Sequence, residues 1–315
     1  MMPEEMAYVA VDVSKATLEI GVYREPGTWR AANAASGWTK LIDWLGRLGR
    51  PVLVGVEPSG GYERGLVEAL LRAGIAVRWC DPARVRAMAR ALGAPAKTDS
   101  IDVGMIGAFL AHAGGRPARL DPEREALKAA LAARQAAQET AQRLEAQAAA
   151  LPEGPAREAL AAVAVNARLA ARALTRQALD LVRTSPRLET SWRRLQTAPG
   201  VGPIVAAELL AHMPELGCVS AKAIAKLAGL APFIRQSGAW TGRAFCSGGR
   251  PRPRQTLYLA VIASLRAKNG ARPVYERLRS AGKPAKVALT ACMRRLLVTL
   301  NAMIRDGASW SQQAA

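Results

Sequence analysis

The stretch that most limits the fold is a short, nearly unbroken apolar run at residues 51–57, PVLVGVE. A run of this length and composition is typical of a strand buried on both faces of a parallel sheet. Parallel strands need crossover connections, which are usually helices. Helical periodicity at residues 38–48, before the strand, and at 62–72, after it, predicts such helices. We therefore expect an α/β domain in which Glu57 ends a central strand.

The neighbouring segments extend this domain. Residues 7–13 and 16–23 are predicted to form two antiparallel strands joined near Ser14, with a third strand at 29–34 and a further one at 75–80. Helices are predicted at 82–92 and from the segment 97–102 onwards. The order β-β-β-α-β-α-β-α predicts a mixed sheet flanked by helices.

Four carboxylates are expected to meet at one edge of this sheet. Asp12 lies in the first strand, and sites in open α/β sheets form beyond the carboxyl ends of strands. Asp99 and Asp102 are three residues apart at a helix start and so share a face. Two carboxylates about 4 Å apart repel by roughly 4 kcal/mol at an effective dielectric near 20. Either solvent at a capped helix start or a divalent cation could offset that repulsion.

Three motifs carry a resemblance to a known family. VDVSK, VEPSGGY and KTDSID stand at residues 11–15, 56–62 and 97–102. In this order and spacing they resemble the DEDD transposases of the IS110 insertion-sequence family and its IS1111 relatives. The resemblance implies an RNase H-like (RuvC-like) domain that binds Mg²⁺ through Asp12, Glu57, Asp99 and Asp102.

Residues 121–196 have a different composition, dominated by Ala, Leu, Arg, Gln and Glu, with Gly154 as the only glycine. The break LPEGP at 151–155 separates two long helical stretches, which predicts an antiparallel helical hairpin. The resembling family has a coiled-coil segment at this place. A plain helical linker is the alternative.

Positive charge is concentrated in the last third of the chain. The formal net charge is +19, and residues 198–315 hold 17 basic and 4 acidic side chains. This imbalance predicts a polyanionic partner, most simply nucleic acid; a membrane surface fits less well because no helix gathers the charge on one face. Two features are expected to contact phosphate: a helix-hairpin-helix-like PGVG turn and a Gly/Arg/Ser-rich loop. Their candidate residues are Gly200, Gly202, Arg235, Arg243, Arg250, Arg252 and Arg254.

A serine in this loop is the candidate nucleophile. In the resembling family a nucleophilic serine lies in an SG step after LAGLxP, and LAGLAPFIRQSG puts that residue at Ser237. Ser247, in SGGR, is the alternative. No histidine is near in sequence to activate the hydroxyl, so flanking arginines and a metal ion would have to stabilise the reacting phosphate.

Together these observations predict three domains: a RuvC-like metal-binding domain at 1–118, a helical hairpin or coiled coil at 119–195, and a mainly α C-terminal domain at 196–315. The resemblance implies a DNA transposase or recombinase that acts on donor and target DNA through a covalent seryl-DNA intermediate. It further implies a homo-oligomer, dimer or tetramer, with a site shared between subunits, and guidance by a structured bridge RNA.

Other functional classes fit less well. The cysteines are far apart, which predicts free thiols in a reducing cytoplasm rather than disulfides or a zinc site. The resemblance to a transposase implies a location at the bacterial nucleoid. The sequence predicts no membrane span, because no apolar run reaches about 18 residues, and its acidic start does not resemble a signal peptide. Two alternatives stay open: a metal-dependent, structure-selective endonuclease without serine chemistry, and a non-catalytic nucleic-acid-binding protein.

Overall fold

The structure is a computed structural model that describes residues 6–93, 99–233, 236–237, 240–242, 245–267 and 270–310. For residues 99–102, 236–237, 240 and 241 the description covers the backbone alone. Contacts divide the chain into two compact units, Met1–Leu120 and Asp121–Ala315. The division into three domains stays a prediction.

Unit 1 contains a six-stranded mixed sheet with the strand order β3-β2-β1-β4-β5-β6. Strand β1 pairs antiparallel with β2 and parallel with β4, and β4 pairs parallel with β5. The strands are β1 Ala7–Val13, β2 Thr17–Val22, β3 Thr28–Ala32, β4 Val52–Val56, β5 Ala76–Trp79 and β6 Arg116–Pro117. The first five confirm the predicted strands. The short antiparallel β6 was not predicted, because two residues carry no periodicity.

Helices cover both faces of this sheet. On one face α1 (Ala35–Gly46) and α2 (Arg64–Arg72) pack Leu41 and Leu66 against the valines of β1 and β4. On the other face α3 (Pro82–Ala91) and α4 (Asp99–Ala113) pack Val85 and Ile106 against Ala10. A mixed sheet between helices confirms the α/β prediction at the level of fold class.

Unit 2 is mostly helical. Its helices are α5 Pro122–Ala150, α6 Pro155–Thr184, α7 Pro186–Leu195, α8 Pro203–His212, α9 Ala221–Leu227, α10 Pro251–Ser264, α11 Arg272–Ser280 and α12 Ala285–Asp306. Between α9 and α10 lie four two-residue strands, β7 Pro232–Phe233, β8 Gln236–Ser237, β9 Trp240–Thr241 and β10 Phe245–Cys246. The buried core of the unit contains residues from the first three turns of α5, the last two turns of α6, and helices α7–α10 and α12.

Helices α5 and α6 lie antiparallel to each other. The guanidinium of Arg134 donates to Thr175 Oγ1 over 3.0 Å, and Arg168 pairs with Glu145 nearer the turn. Proline at the first position of each helix and the turn around Gly154 explain where the two helices begin and end. The two-helix arrangement matches the predicted hairpin, whereas the coiled coil stays a prediction.

Within the described part of the chain one helix, α12, is long and apolar enough to cross a membrane by length and composition. No uninterrupted apolar run of this length was predicted, and α12 does not contradict that prediction, because Arg294 and Arg295 interrupt its apolar sequence. About 44% of its most apolar window is buried, with Leu297 and Leu300 in the core of unit 2. A core helix passes the same test, so α12 is weak support for a membrane segment. All four cysteines are free thiols, as predicted.

Candidate active site and nucleic-acid interface

Asp12 and Glu57 occupy neighbouring positions at one edge of the sheet. Strand β1 is in parallel register with β4, with Val11 opposite Val56, and the acidic residues are the next positions on each chain. Paired strands lie about 4.8 Å apart, so the two backbones bring both carboxylates within reach of one ion. Both residues are half-buried.

Both side chains belong to the face of the sheet covered by α4. Successive side chains alternate between faces, and the residue before Val56 lies on the α4 face: a Cβ on Gly55 would lie 3.0 Å from Leu110 and 3.1 Å from Cys80 Sγ. Glu57 is two residues further and so shares that face. Burial, together with the nearby charge of Glu57, raises the pKa of the Cys80 thiol to about 12.

Helix α4 begins at the same edge. A Cβ on Gly21 would lie 3.0 Å from Val103, and one on Gly107 would lie 3.0 Å from Cβ of Tyr23. Tyr23 hydrogen-bonds the start of β1 through its backbone, so α4 runs from the end of β1 towards its beginning. The first turn of α4, from Asp99, therefore lies at the edge where β1 ends.

The predicted quartet is only partly described. The side chains of Asp99 and Asp102 lie outside the description, as do Lys97 and Thr98. Among the described residues no three His, Cys, Asp or Glu side chains form a metal-binding group. The structure thus brings Asp12 and Glu57 together, and the four-carboxylate metal site stays a prediction.

Glu63 organises the loop that follows Glu57, a role that the sequence did not reveal. Its Oε2 accepts hydrogen bonds from Ser59 N (3.0 Å), Ser59 Oγ (3.0 Å) and Gly61 N (2.9 Å). Burial favours the neutral acid, yet these donors together with the backbone of Glu63 hold its pKa below the usual value. Because the carboxylate binds this loop, α2 begins at Arg64 rather than at the predicted Tyr62.

Asn33, a residue that the sequence alone did not single out, hydrogen-bonds to both loops that follow the acidic positions. Its Nδ2 donates to the carbonyl oxygens of Ser14 (2.8 Å) and Tyr62 (3.0 Å). Its Oδ1 accepts from Trp38 Nε1 over 2.9 Å, which fixes the orientation of the amide. The loops after β1 and β4 are therefore held next to each other by one side chain. The predicted strand at 29–34 included Asn33, whereas β3 ends at Ala32, so Asn33 belongs to the connection that follows it.

In unit 2 the predicted Gly/Arg/Ser-rich loop is a nested pair of short strand ladders. Strand β7 pairs with β10, and within that pair β8 pairs with β9, with Ser237 opposite Trp240. Ser237 is thus the last residue of β8; its side chain lies outside the description, as do Arg235 and Arg243 entirely. Ser247 is exposed.

Two of the candidate DNA-binding arginines are used inside unit 2. Arg250 makes a two-pronged ion pair with Glu215, at 2.6 and 2.7 Å, and donates to the carbonyl oxygen of His212. Arg252 makes a similar pair with Glu208, which is only 4% exposed. Their charges are neutralised locally, so the structure favours a supporting role for both over direct phosphate contact.

The loop prediction for this arginine run was wrong, because α10 begins at Pro251 and places the residues that follow in a helix. Proline at a first helical position costs no hydrogen bond and favours the start of a helix there. Arg254 donates to the carbonyl oxygen of Gly248 over 3.0 Å and makes no ion pair with a described residue. Its charge remains available to a phosphate.

Gly200 and Gly202 have different roles. Gly200 has φ +82°, and a Cβ there would lie 2.2 Å from the carbonyl oxygen of Ala260 in α10. The first glycine is therefore required by close packing within the core. Gly202 caps the amino end of α8 and has open space around it, so phosphate contact remains possible at that position.

Two family models match separate parts of the chain, and the first extends beyond unit 1 through helix α5. A family model for the DEDD domain of IS110 elements, described as "Transposase", matches residues 9–151. A second, described as "Transposase IS116/IS110/IS902 family", matches residues 192–276. The chain belongs to the IS110 family of transposases. Membership indicates dependence on a divalent metal ion, whose identity and site stay open.

Individual relatives cover different shares of the chain. An IS900 uncharacterized 42 kDa protein of Mycobacterium paratuberculosis is 36% identical over 47% of this chain and 39% of its own length. An IS110 uncharacterized 43.6 kDa protein of Streptomyces coelicolor is 34% identical over 36% of this chain and 28% of its own length. A pilin gene-inverting protein of Moraxella lacunata is 25% identical over 95% of this chain and 96% of its own length. The chain thus spans well under half the length of the first two family relatives.

Proposed function

We propose that this protein is a DNA transposase or recombinase that cuts and rejoins DNA strands to move an insertion element. The observation that carries the proposal is the pair Asp12 and Glu57, at neighbouring positions on one sheet edge where α4 also begins. Membership of the IS110 family and the relative named as a pilin gene-inverting protein support the exchange of DNA strands.

Asp12 and Glu57, with Asp99 and Asp102, would hold Mg²⁺. The fit rests on donor chemistry: half-buried carboxylates at adjacent positions supply the oxygen ligands that hard divalent cations prefer. A bound cation would offset the repulsion between these carboxylates and stabilise negative charge on a reacting phosphate.

Ser237 would be the nucleophile, with Ser247 as the alternative. The serine oxygen would form a bond to phosphorus while the bond to the 3′ oxygen breaks, which leaves a seryl-phosphate ester and a free 3′-hydroxyl that takes up the proton. That hydroxyl would later attack the ester to rejoin a strand and release the serine. The support for Ser237 is the SG step after LAGLAP, which matches the position of the serine in the resembling family.

The partners follow from this proposal. Donor and target DNA would contact the basic unit 2, where residues 198–315 carry a net charge of +13. A structured bridge RNA would select the DNA sites, and a homo-oligomer, dimer or tetramer, would assemble the complete active site. The protein would act in the cytoplasm, at the nucleoid.

The test is a search for a covalent protein–DNA adduct on denaturing gels, with a junction DNA, RNA from the flanking element and Mg²⁺. We expect an adduct with the native chain and with Ser247→Ala, and none with Ser237→Ala or Asp12→Asn. An adduct lost only in Ser247→Ala would move the nucleophile to Ser247. Cleavage that produces no adduct and survives both serine substitutions would instead establish the metal-dependent endonuclease.

A further inference from the structure

An exposed aromatic residue lies in the loop that follows Glu57. Tyr62 is 50% exposed, although most large apolar side chains of unit 1 are in its two cores. Asn33 Nδ2 donates to the carbonyl oxygens of both Tyr62 and Ser14, and Ser14 follows Asp12 by two residues. The backbone of Tyr62 therefore lies beside the loop that continues from the acidic edge.

The loop that carries Tyr62 is held rigidly. The carboxylate of Glu63 accepts three hydrogen bonds from Ser59 and Gly61, and the carbonyl oxygen of Tyr62 accepts one from Asn33. An aromatic side chain loses little conformational entropy when it binds, and a fixed backbone reduces the cost further. The loop therefore presents a preorganised aromatic ring.

An exposed arginine, Arg64, follows Tyr62 by two residues. The Nε atom of Arg64 lies 3.6 Å from the position of a Cβ on Gly61, so its side chain folds back over the loop. Arg64 is exposed and pairs with no acidic side chain in the part of the chain that the structure describes. Its charge remains available for an external anion.

We propose that Tyr62 is a stacking platform for a nucleobase of a strand that crosses the acidic edge, with Arg64 contacting the neighbouring phosphate. An aromatic ring next to a cation matches the alternation of base and phosphate in single-stranded nucleic acid. A protein partner fits less well, because the neighbours of Tyr62 along the chain are glycines and charged residues, whereas the centres of protein interfaces are apolar. The inference rests on the proposed function, since it assigns the strand to the same edge.

The experiment uses the full chain and a short fluorescein-labelled single-stranded DNA, without divalent metal so that no cutting occurs. We expect Tyr62→Ala and Tyr62→Leu to weaken binding about tenfold, as for loss of one base stack, and Tyr62→Phe to bind as the native chain does. The salt dependence should stay unchanged in the tyrosine variants. Arg64→Ala should flatten the slope of log affinity against log salt by about 0.7.

Leu120→Ala is the matched control. Leu120 is 45% exposed and lies beyond β6, at the end of the sheet opposite to Glu57. Its removal should leave binding unchanged. In a second measurement, 5-iododeoxyuridine in the DNA should crosslink under ultraviolet light to the peptide that contains Tyr62, as expected for a stacked base.

The outcomes separate this inference from the proposed function. Native binding that is equally strong in Tyr62→Ala and Tyr62→Leu, with no crosslink at Tyr62, would overturn the stacking role and leave the transposase proposal intact. A loss of thermal stability in Tyr62→Ala with unchanged binding would assign the ring to packing within the protein, which also overturns it. A native chain that binds no nucleic acid would contradict the proposed function itself.

Discussion

Among the described residues the charged side chains less than a tenth exposed are Glu63, Arg124 and Glu208. Each has specific partners: loop donors for Glu63, Asp121 and the Leu210 carbonyl for Arg124, and Arg252 for Glu208. A buried charge without partners costs several kcal/mol. These residues are therefore sites where a single substitution has a large effect.

Replacing Glu63 by glutamine should destabilise unit 1 by about 2 kcal/mol, because charge-assisted hydrogen bonds to the loop are lost. The pKa of Glu63 is lower in the folded state than in the unfolded chain, where it is about 4.3. The carboxylate therefore stabilises the fold above a pH of about 4.3, and this stabilisation is lost as the pH falls through the folded-state pKa. The free energy of unfolding measured in urea should thus fall more steeply on acidification for the native chain than for Glu63→Gln.

Glu68→Gln is the control for this experiment, because Glu68 is only partly buried and, among the described residues, forms a salt bridge with Arg72 one turn away. Such surface pairs contribute about 0.5 kcal/mol or less. If both substitutions gave the same loss of stability and the same pH dependence, the loop contacts of Glu63 would carry no special weight.

Replacing Arg252 by methionine should cost about 3 kcal/mol, because it leaves the carboxylate of Glu208 buried without its main partner. Arg254→Met, two residues further along α10, removes only a bond to a backbone carbonyl and should cost about 1 kcal/mol. Denaturant midpoints measure both. A smaller loss for Arg252→Met than for Arg254→Met would contradict the supporting role of Arg252.

At the scale of elements, the segments around β7–β10 are held in place by close backbone approach. Gly249 lies against Gly229, where a Cβ would fall 2.1 Å from the backbone nitrogen, and Arg250 N donates to the Leu227 carbonyl over 2.8 Å. The end of α9 thus supports the start of α10. Ser247 is two residues before Gly249, whereas Ser237 belongs to the separate β8–β9 pair.

The turn between α7 and α8 provides a prediction with a matched pair. Gly200→Ala should destabilise unit 2 by about 3 kcal/mol or more, because φ is +82° and the new Cβ would meet the Ala260 carbonyl. Gly202→Ala, at a cap with open space, should cost about 1 kcal/mol or less. Thermal unfolding distinguishes them. Equal, small effects would show that α10 does not restrict the turn.

At the scale of the whole molecule, each unit has its own buried core, and those of unit 1 include residues from every strand except β3 and β6. We expect the fragment 1–120 to fold by itself and to unfold cooperatively on heating, as followed by circular dichroism. Shortening it to 1–113 should lower its melting temperature, because β6 and the contact of Ala118 with the Val77 carbonyl are lost.

A fragment 1–120 with Val54→Asp serves as the control, because Val54 is fully buried and the charge has no partner in the core. It should not fold. A native-sequence fragment that lacks a cooperative transition would show that unit 1 depends on unit 2 for its stability.

The sequence by itself determined the elements of unit 1 and the end of the sheet where Asp12 and Glu57 lie. Strand periodicity and an apolar run are local signals, and parallel strands bring their carboxyl ends to one edge. The same holds for the two long helices, whose proline and glycine breaks are visible in the sequence.

Only the tertiary structure decided which polar, charged and small residues stabilise the fold through distant partners. Asn33 donates to the Tyr62 carbonyl oxygen, 29 residues away, and Arg252 pairs with Glu208, 44 residues away along the chain. Gly200 likewise meets a helix that begins 51 positions later, at Pro251. Periodicity reports which face of an element is buried, but it carries no information about which distant group completes a hydrogen bond.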